Sequence, residues 1–247
     1  MIEVKDVFFN IGATRILNGV SMHVKTAETV GIIGPNGSGK TTLFNCLSGF
    51  NIPQKGKILL NGKDITHERP FNRAKNGMGR VFQNPGIFRE MTVHENVLTA
   101  LESRSQSAAI YWPWSKKTRE HNTEAQEYIE MVGLGKKAND KAGSLSGGQM
   151  RLLEIVRSLA FGAEVFLLDE PTAGVSPKMK EDVAKLIRNL QEMNKTVLII
   201  EHDINFIEKF CQRVVVLDVG QVVLDDSPDN LRNNEKLQEI YFGTGEH

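Results

Sequence analysis

Cysteine is almost missing from this chain. Its 247 residues include two, Cys46 and Cys211, so no disulfide framework is readable and a reducing compartment is the expectation. Net charge is missing too. Thirty basic and thirty acidic residues cancel, whereas a protein held on nucleic acid by bulk charge usually reads basic; no nucleic-acid partner is expected. Long apolar runs are a third absence. The longest, such as Val197 to Ile200, are strand-sized, far from the ~20 residues that span a bilayer. If this protein serves a membrane, it does so from outside the lipid. Met1 to Asp6 alternates apolar and charged residues, which is no signal peptide. Internal repeats and low-complexity segments are also lacking. What is present is ordinary for a soluble globular chain and argues against disorder: 40% hydrophobic and 24% charged residues. At roughly 150 residues per domain, the length suits one large α/β unit or a core plus a subdomain. Such a chain buries about 70–75% of its unfolded surface and needs no staples.

The first sixty-odd residues read as strands and turns. Ile2–Val7 and Val20–Val24 alternate with period two, and Thr29–Ile33 is a β-branched run that stops at Gly34. Lys40–Gly49 carries helix formers with apolar spacing. Lys57–Leu60 ends at Asn61-Gly62, a hairpin signal. From about Thr92 to Gly133 helix formers dominate, with helices expected near Val93–Leu101 and Lys117–Met131 and a loop over Ser103–Ser115 between them. Leu152–Phe161 continues the helical pattern. Strand, helix and strand then follow at Val165–Leu168, Pro177–Met193 and Thr196–Ile200, with a further strand at Val214–Leu217. This alternation predicts a mostly parallel sheet with helices on its faces. The tail, Pro228–Phe242, reads as polar and helical.

Gly34-Pro35-Asn36-Gly37-Ser38-Gly39-Lys40-Thr41-Thr42 fits G-x-x-x-x-G-K-[ST], after an apolar strand and before a helix. Glycines let the backbone curl so that several N–H groups point inward. The helix adds its positive N-terminal end. Lys40 would reach the β- and γ-phosphates of ATP, and the Thr41 hydroxyl would hold Mg²⁺. The plainer alternative is a glycine-rich turn with a surface lysine.

Val165-Phe166-Leu167-Leu168-Asp169-Glu170 is an apolar strand ending in two acids. That places carboxylates at the carboxyl edge of the sheet, where α/β folds bind ligands. Asp169 would assist Mg²⁺ through a water, leaving Glu170 to polarise the attacking water as general base. A solvated strand end would carry the same two letters. His202 follows the strand Thr196–Ile200 at the same edge, where it could bond the γ-phosphate or the attacking water. Gln83 closes a third short strand and could orient water and contact the metal. Spacing alone leaves the roles of His202 and Gln83 open.

Leu145-Ser146-Gly147-Gly148-Gln149 joins these motifs in a fixed order. Together with the cradle, Gln83, Asp169-Glu170 and His202, it resembles the nucleotide-binding domain of an ABC transporter over Ile2 to about Gly243. The resemblance implies an α/β P-loop NTPase core with a mostly parallel sheet, an N-terminal antiparallel β subdomain and an inserted α-helical subdomain. It makes residues 1–90 and 162–247 the core and 91–161 the helical signature part. It implies two ATP molecules sandwiched in a head-to-tail pair of ATPase subunits, the same or different. Ser146, Gly147, Gly148 and Gln149 of one subunit would close on the nucleotide in the cradle of the other, and Ala173–Pro177 would cross between the sites. Implied partners are transmembrane permease subunits and, indirectly, a solute-binding protein. The place implied is peripheral, on the cytoplasmic face of the cell membrane.

Arg80 to Val97 and Thr196 to Asp203 are similar to ATPases of branched-chain amino acid importers, as are the Ser103–Ser115 insertion and the Glu239–Gly243 tail. Urea or short-amide importers and the lipopolysaccharide-export ATPase share much of this. A soluble ABC-type ATPase acting on nucleic acid usually has two cassettes or a long coiled coil, and neither is present. A purely regulatory nucleotide binder would need neither Glu170 nor His202. One departure stands out. The family usually has an aromatic residue just before Gly12, where adenine stacks, and this chain has Ile11. Phe8 or Phe9, or an aliphatic surface, would have to serve. The five-residue signature has the general family form and does not support the importer subgroup. Asn84–Glu95 would lie beside the groove that receives a permease helix. Trp112 and Trp114, followed by Lys116 and Lys117, fit a partly buried insertion loop or a partner-facing patch. Cys46 and Cys211 read as packing residues without metal spacing.

Overall fold

The computed structural model describes residues 1–82, 85–104 and 116–231, the side chains of Lys116 and Leu231 excepted. Two sheets organise it. The first is antiparallel, in the order β2-β1-β4-β5, from β1 (Ile2–Ile11), β2 (Thr14–Val24), β4 (Lys55–Leu60) and β5 (Lys63–Asp64). Its hairpin from β4 to β5 turns at Asn61-Gly62, as the sequence predicts. β1 and β2 run longer than the alternation suggests, because register shifts let the pairing continue past Val7.

β3 (Thr29–Ile33) lies in the second sheet, ordered β10-β9-β3-β8-β7-β6. Its other strands are β6 (Met78–Val81), β7 (Val165–Asp169), β8 (Thr196–Ile200), β9 (Arg213–Asp218) and β10 (Gln221–Asp226). All neighbours in it pair in parallel except β10, which runs antiparallel to β9. The helices are α1 (Lys40–Ser48), α2 (Pro70–Lys75), α3 (Val93–Arg104), α4 (Lys116–Met131), α5 (Gly147–Phe161), α6 (Pro177–Glu192), α7 (Ile204–Phe210) and α8 (Pro228–Leu231). α3 packs on α4 and α5 to make a helical layer. Most helix and strand ends fall within two residues of expectation, but α3 continues through Ser103 and Arg104, and α5 begins at Gly147 instead of Leu152. The expected loop at 105–115, with Trp112 and Trp114, and the tail from 232 onward lie outside the described residues.

The second sheet is buried on both faces, and side-chain alternation divides its residues between two cores. Val30, Ile32, Val165, Leu167, Leu198, Ile200, Val215 and Leu217 face α1 and the antiparallel sheet. Phe166, Leu168, Val197, Ile199, Val214 and Val216 face the helical layer together with α6 and α7. Continuous apolar runs are therefore required here, not alternating ones. Cys46 and Cys211 are free, buried packing residues, one in each core.

Arg73 on α2 is almost wholly buried and works as a cap. Its guanidinium donates to the carbonyls of Cys46 and Leu47 at the end of α1, and to those of Thr66 and Glu68. A cation there satisfies orphan carbonyls and complements the negative end of the helix. α5 carries a second buried polar device, the stripe Arg151, Glu154 and Arg157, each three residues apart on one face. Glu154 Oε1 accepts from the N–H groups of Gly86, at 2.9 Å, and Phe82, at 3.4 Å. Arg157 donates to the Gly86 carbonyl at 2.6 Å. α5 thus holds Phe82 and Gly86 in place after β6.

Arg73→Met should lower the unfolding free energy by roughly 2–4 kcal/mol, since four buried carbonyls lose their donor. A shift of the urea midpoint checks this, and an unmoved midpoint shows that the carbonyls find other donors. Glu154 gives a pH prediction. Burial pushes its carboxyl from 4.5 up to about 7, against the pull of the two N–H groups and of Arg151 and Arg157. Between those values the folded state binds more protons than the unfolded one. The stability this group contributes is therefore full below its unfolded pKa and lost as pH rises through the folded one. Relative to Glu154→Gln, the wild type should lose up to ~3 kcal/mol between about pH 4 and about pH 8. Urea titrations of both proteins across that range test it; a difference independent of pH contradicts the assignment.

Candidate functional site

Parallel pairing brings the carboxyl ends of four strands to one edge. Asp169 on β7 is level with Ile200 on β8, which is level with Ile32 on β3; Val81 on β6 pairs Leu168. The residues just beyond, Gly34, Glu170, Glu201 and His202, and Phe82 before Gln83, must therefore emerge together. Gln83 itself lies outside the described residues, as does Asn84.

The loop Gly34–Gly39 curls after β3 as the motif predicts. A Cβ at Gly34 would stand 2.0 Å from the Leu217 carbonyl oxygen, so no other residue fits there. Gly39 caps α1 in the left-handed conformation without a side-chain hydrogen bond. The first-turn N–H groups of α1 are thereby left to an anion. Ser38 Oγ is buried and has no hydrogen-bond partner among the described residues. Pro35 is half-buried, Asn36, Gly37 and Thr41 are exposed, and Thr42 is half-buried. Lys40 is buried and folds back, its Nζ donating to the carbonyls of Gly34, at 2.8 Å, and Pro35, at 2.9 Å. Burial lowers its pKa, while Glu170 and then Asp169 raise it. The ammonium thus sits in the field of both acids.

Glu170 adopts a left-handed backbone, φ 48°, costly for a side chain with a Cβ. Its N–H donates to the Ile200 carbonyl at 2.9 Å, and its own carbonyl accepts from Arg151 Nη1 at 2.7 Å. Arg151 also reaches the Asp169 carbonyl at 3.3 Å. His202 Nε2 lies 3.1 Å from Glu170 Oε1, both side chains partly open to solvent. The acid and the histidine are therefore brought together. Asp169 is buried and paired with Arg80 at 2.7 Å. Burial raises its pKa, opposed first by Arg80, while Glu170 adds to the rise. Arg80 is pushed down to about 10 by the same burial, which leaves it charged at neutral pH.

Oxygen donors from the Thr41 hydroxyl and Asp169 suit a hard divalent cation. Among the described residues no cluster of three or more His, Cys, Asp or Glu could hold a metal alone. That fits Mg²⁺, which takes one or two carboxylates and completes its shell with substrate phosphates and water.

Ser146 and Gln149 form a capping box at the start of α5. Ser146 Oγ accepts from the Gln149 N–H at 3.3 Å, and Gln149 Oε1 from the Ser146 N–H at 3.1 Å. Ser146 and Gly147 face solvent. Gly148 is buried, and a Cβ there would stand 2.1 Å from Met179 Cγ on α6. Packing within the subunit thus demands glycine at 148, independently of any nucleotide. As for adenine, Ile11 is 60% exposed. Phe9 packs against a core, and Phe8 lies over Gly19 beneath Arg15. An aliphatic surface remains at the family's stacking position.

Arg80, Arg151, Glu154 and Glu201 went unnoticed as site residues. Glu201 is buried and holds Thr172 by its N–H, at 2.8 Å, and its hydroxyl, at 2.7 Å. A signal existed for Arg151 and Glu154: charges three apart inside an apolar helical run. Beside the site lies a cavity of about 450 Å³ walled by Phe50, Phe71, Phe82 and Phe88, with Arg80 and Glu154 at its base. Three of these rings, Phe50, Phe71 and Phe88, are about half exposed or more.

Comparison with known proteins agrees with this geometry. The ABC transporter family profile matches residues 17–173. The chain is 37% identical to the high-affinity branched-chain amino acid transport ATP-binding protein BraF of Pseudomonas aeruginosa, over 98% of each chain. It is 34% identical to the lipopolysaccharide export system ATP-binding protein LptB of Haemophilus influenzae, over 93% of this chain and 91% of that one. Among solved structures, the ADP conformation of the ATP-binding cassette MJ1267 superposes with TM-score 0.85 at 33% identity, over 99% of each chain. The cassette MJ0796, seen as a dimer bound to ADP and Pi, superposes with TM-score 0.78 at 29% identity, over 92% of this chain and 99% of that one. Among the described residues no helix is long and apolar enough to cross a membrane. The chain belongs to the ABC transporter family, as an ATP-binding cassette that hydrolyses ATP.

Proposed function

We propose that this cassette powers the uptake of branched-chain amino acids. The observation that carries this reading is the full-length likeness to BraF. The likeness to LptB is nearly as close, and lipopolysaccharide export is the second reading. In either case the cassette works from the cytoplasmic face with permease subunits, and in import a solute-binding protein acts indirectly through them. The aromatic cavity walled by Phe50, Phe71, Phe82 and Phe88 would take a permease segment, since half-exposed rings in a groove favour an apolar helix.

In the proposed chemistry, ATP phosphates enter the cradle and take the N–H groups of α1 and the Ser38 hydroxyl. Lys40 then exchanges the carbonyls of Gly34 and Pro35 for phosphate oxygens. Thr41 and Asp169, with Gln83, would hold Mg²⁺, which when bound spreads the charge of the transferred phosphoryl group. Glu170 takes the proton of the attacking water. His202 Nε2, 3.1 Å from that carboxylate before nucleotide binds, would turn its N–H to the γ-phosphate when ATP is in the site. Ser146, Gly147, Gly148 and Gln149 of a second subunit close the site, offering another helix N-terminus to the γ-phosphate. The dimeric MJ0796 cassette supports such pairing.

Glu170→Gln keeps the shape but loses the charge and basicity. It should hydrolyse ATP on the order of 100-fold more slowly, the scale of a lost general base. Its mass in solution should rise from monomer to dimer when Mg-ATP is added. Hydrolysis at the wild-type rate removes Glu170 from its role. For the solute, the cassette is reconstituted with its permease subunits and binding protein in vesicles. Leucine should stimulate ATP turnover and urea should not. Stimulation by lipopolysaccharide instead would transfer the cassette to the second reading.

A further inference from the structure

Arg80 carries a charge that none of these roles uses. It sits on β6, and its Nη2 lies 2.7 Å from Asp169 Oδ2, with both side chains at most 7% exposed. The same nitrogen is 3.5 Å from Asn45 Oδ1. Nε and Nη1 are buried without a hydrogen-bond partner among the described residues. The guanidinium lies over two rings, 4.8 Å from the centre of Phe44 on α1 and 5.4 Å from that of Phe82. It also lines the aromatic cavity.

A carboxylate buried this deeply needs a counter-charge, and Arg80 supplies it. A divalent ion drawn to the same carboxylate meets the guanidinium as a like charge. It must either displace the ion pair or share the oxygen against repulsion. The two aromatic faces matter here, because they keep attracting the guanidinium whether or not Asp169 is engaged. Arg80 can therefore yield the carboxylate without leaving its place.

We propose that Arg80 competes with the divalent cation for Asp169 and so holds down the metal affinity of the nucleotide site. The inference rests on the reading of Asp169 as a metal-contacting residue, directly or through a water. Arg80 is a positioning residue in this scheme, since it acts through Asp169.

Manganese binding in the presence of ADP tests it on the full chain, followed through the EPR signal of the free ion at a single fixed pH. Arg80→Gln should bind Mn²⁺ roughly tenfold more tightly, a typical size for coupling between two sites. Arg80→Lys keeps the charge and should stay within about threefold of wild type. A purely structural role would lower the thermal midpoint without raising affinity. Unchanged or weaker Mn²⁺ binding by folded Arg80→Gln overturns the proposal. Asp169→Asn separates the two readings. If it loses Mn²⁺ while Arg80→Gln matches wild type, only the competition fails; if it binds like wild type, Asp169 is no ligand and both fail. Should Arg80→Gln not fold, the wild type still decides. Mg²⁺ with ADP should shift the Arg80 Nε–H resonance, assigned by its loss in Arg80→Lys, and an unmoved resonance overturns the proposal.

Discussion

The parallel alignment of β3, β8, β7 and β6 is the constraint from which the site follows. Because Ile32, Ile200 and Asp169 lie in one row, whatever follows them in sequence must emerge along one edge. Four segments widely separated in the chain thereby meet without any loop having to search for another. The row is held by burial on both faces, and a one-residue slip of any strand would move its side chains into the wrong core. Position at the edge and packing of the interior are therefore one requirement.

That edge gathers charges that must balance. Lys40, Arg151 and Asp169 each feel the charge of Glu170 beside them, and Asp169 that of Arg80 as well. None is left as an isolated buried ion, which would be far less stable. Lys40 rests on its own loop carbonyls, Asp169 on Arg80, and the backbone of Glu170 on Arg151. A chain with no net charge thus places cations and anions within a few ångströms at the single edge where a polyanion and a metal are to be held. Each internal partner is a group that a ligand can replace.

The motifs at this edge were legible because each is local. The β-branched run ending at Gly34, the Gly39-Lys40 helix start and the apolar strand ending in Asp169-Glu170 are readable within ten residues. α5 was misjudged at its start because glycines are poor helix formers; the reciprocal bonds of Ser146 and Gln149 override that. α7 and β10 were missed for lack of length and pattern: one has seven residues, and the other is edge-exposed and ends in two acids. Arg80, Glu154 and Glu201 escaped for a different reason. Their partners lie 89, 68 and 29 residues away, so their roles exist only once the sheet has formed. The family resemblance supplied the dimer and the permease, which nothing in the local pattern contains.

α5 shows how these parts are coupled. Its N-terminus carries Ser146 and Gln149, its second turn holds the Glu170 carbonyl through Arg151, and its second and third turns hold Phe82 and Gly86 through Glu154 and Arg157. All these bonds are rooted on one helix of fifteen residues. A helix transmits displacement along its length because its own hydrogen bonds resist local change. Any rotation of α5 must then move the signature end, the support of Glu170 and the wall of the aromatic cavity together. Arg151 and Glu154 of this stripe are buried, and each of the three side chains holds backbone groups outside the helix, so the stripe has few ways to slip. Coupling between cavity and nucleotide site consequently requires no separate relay: it is the stiffness of one helix acting on polar groups that have nowhere else to go.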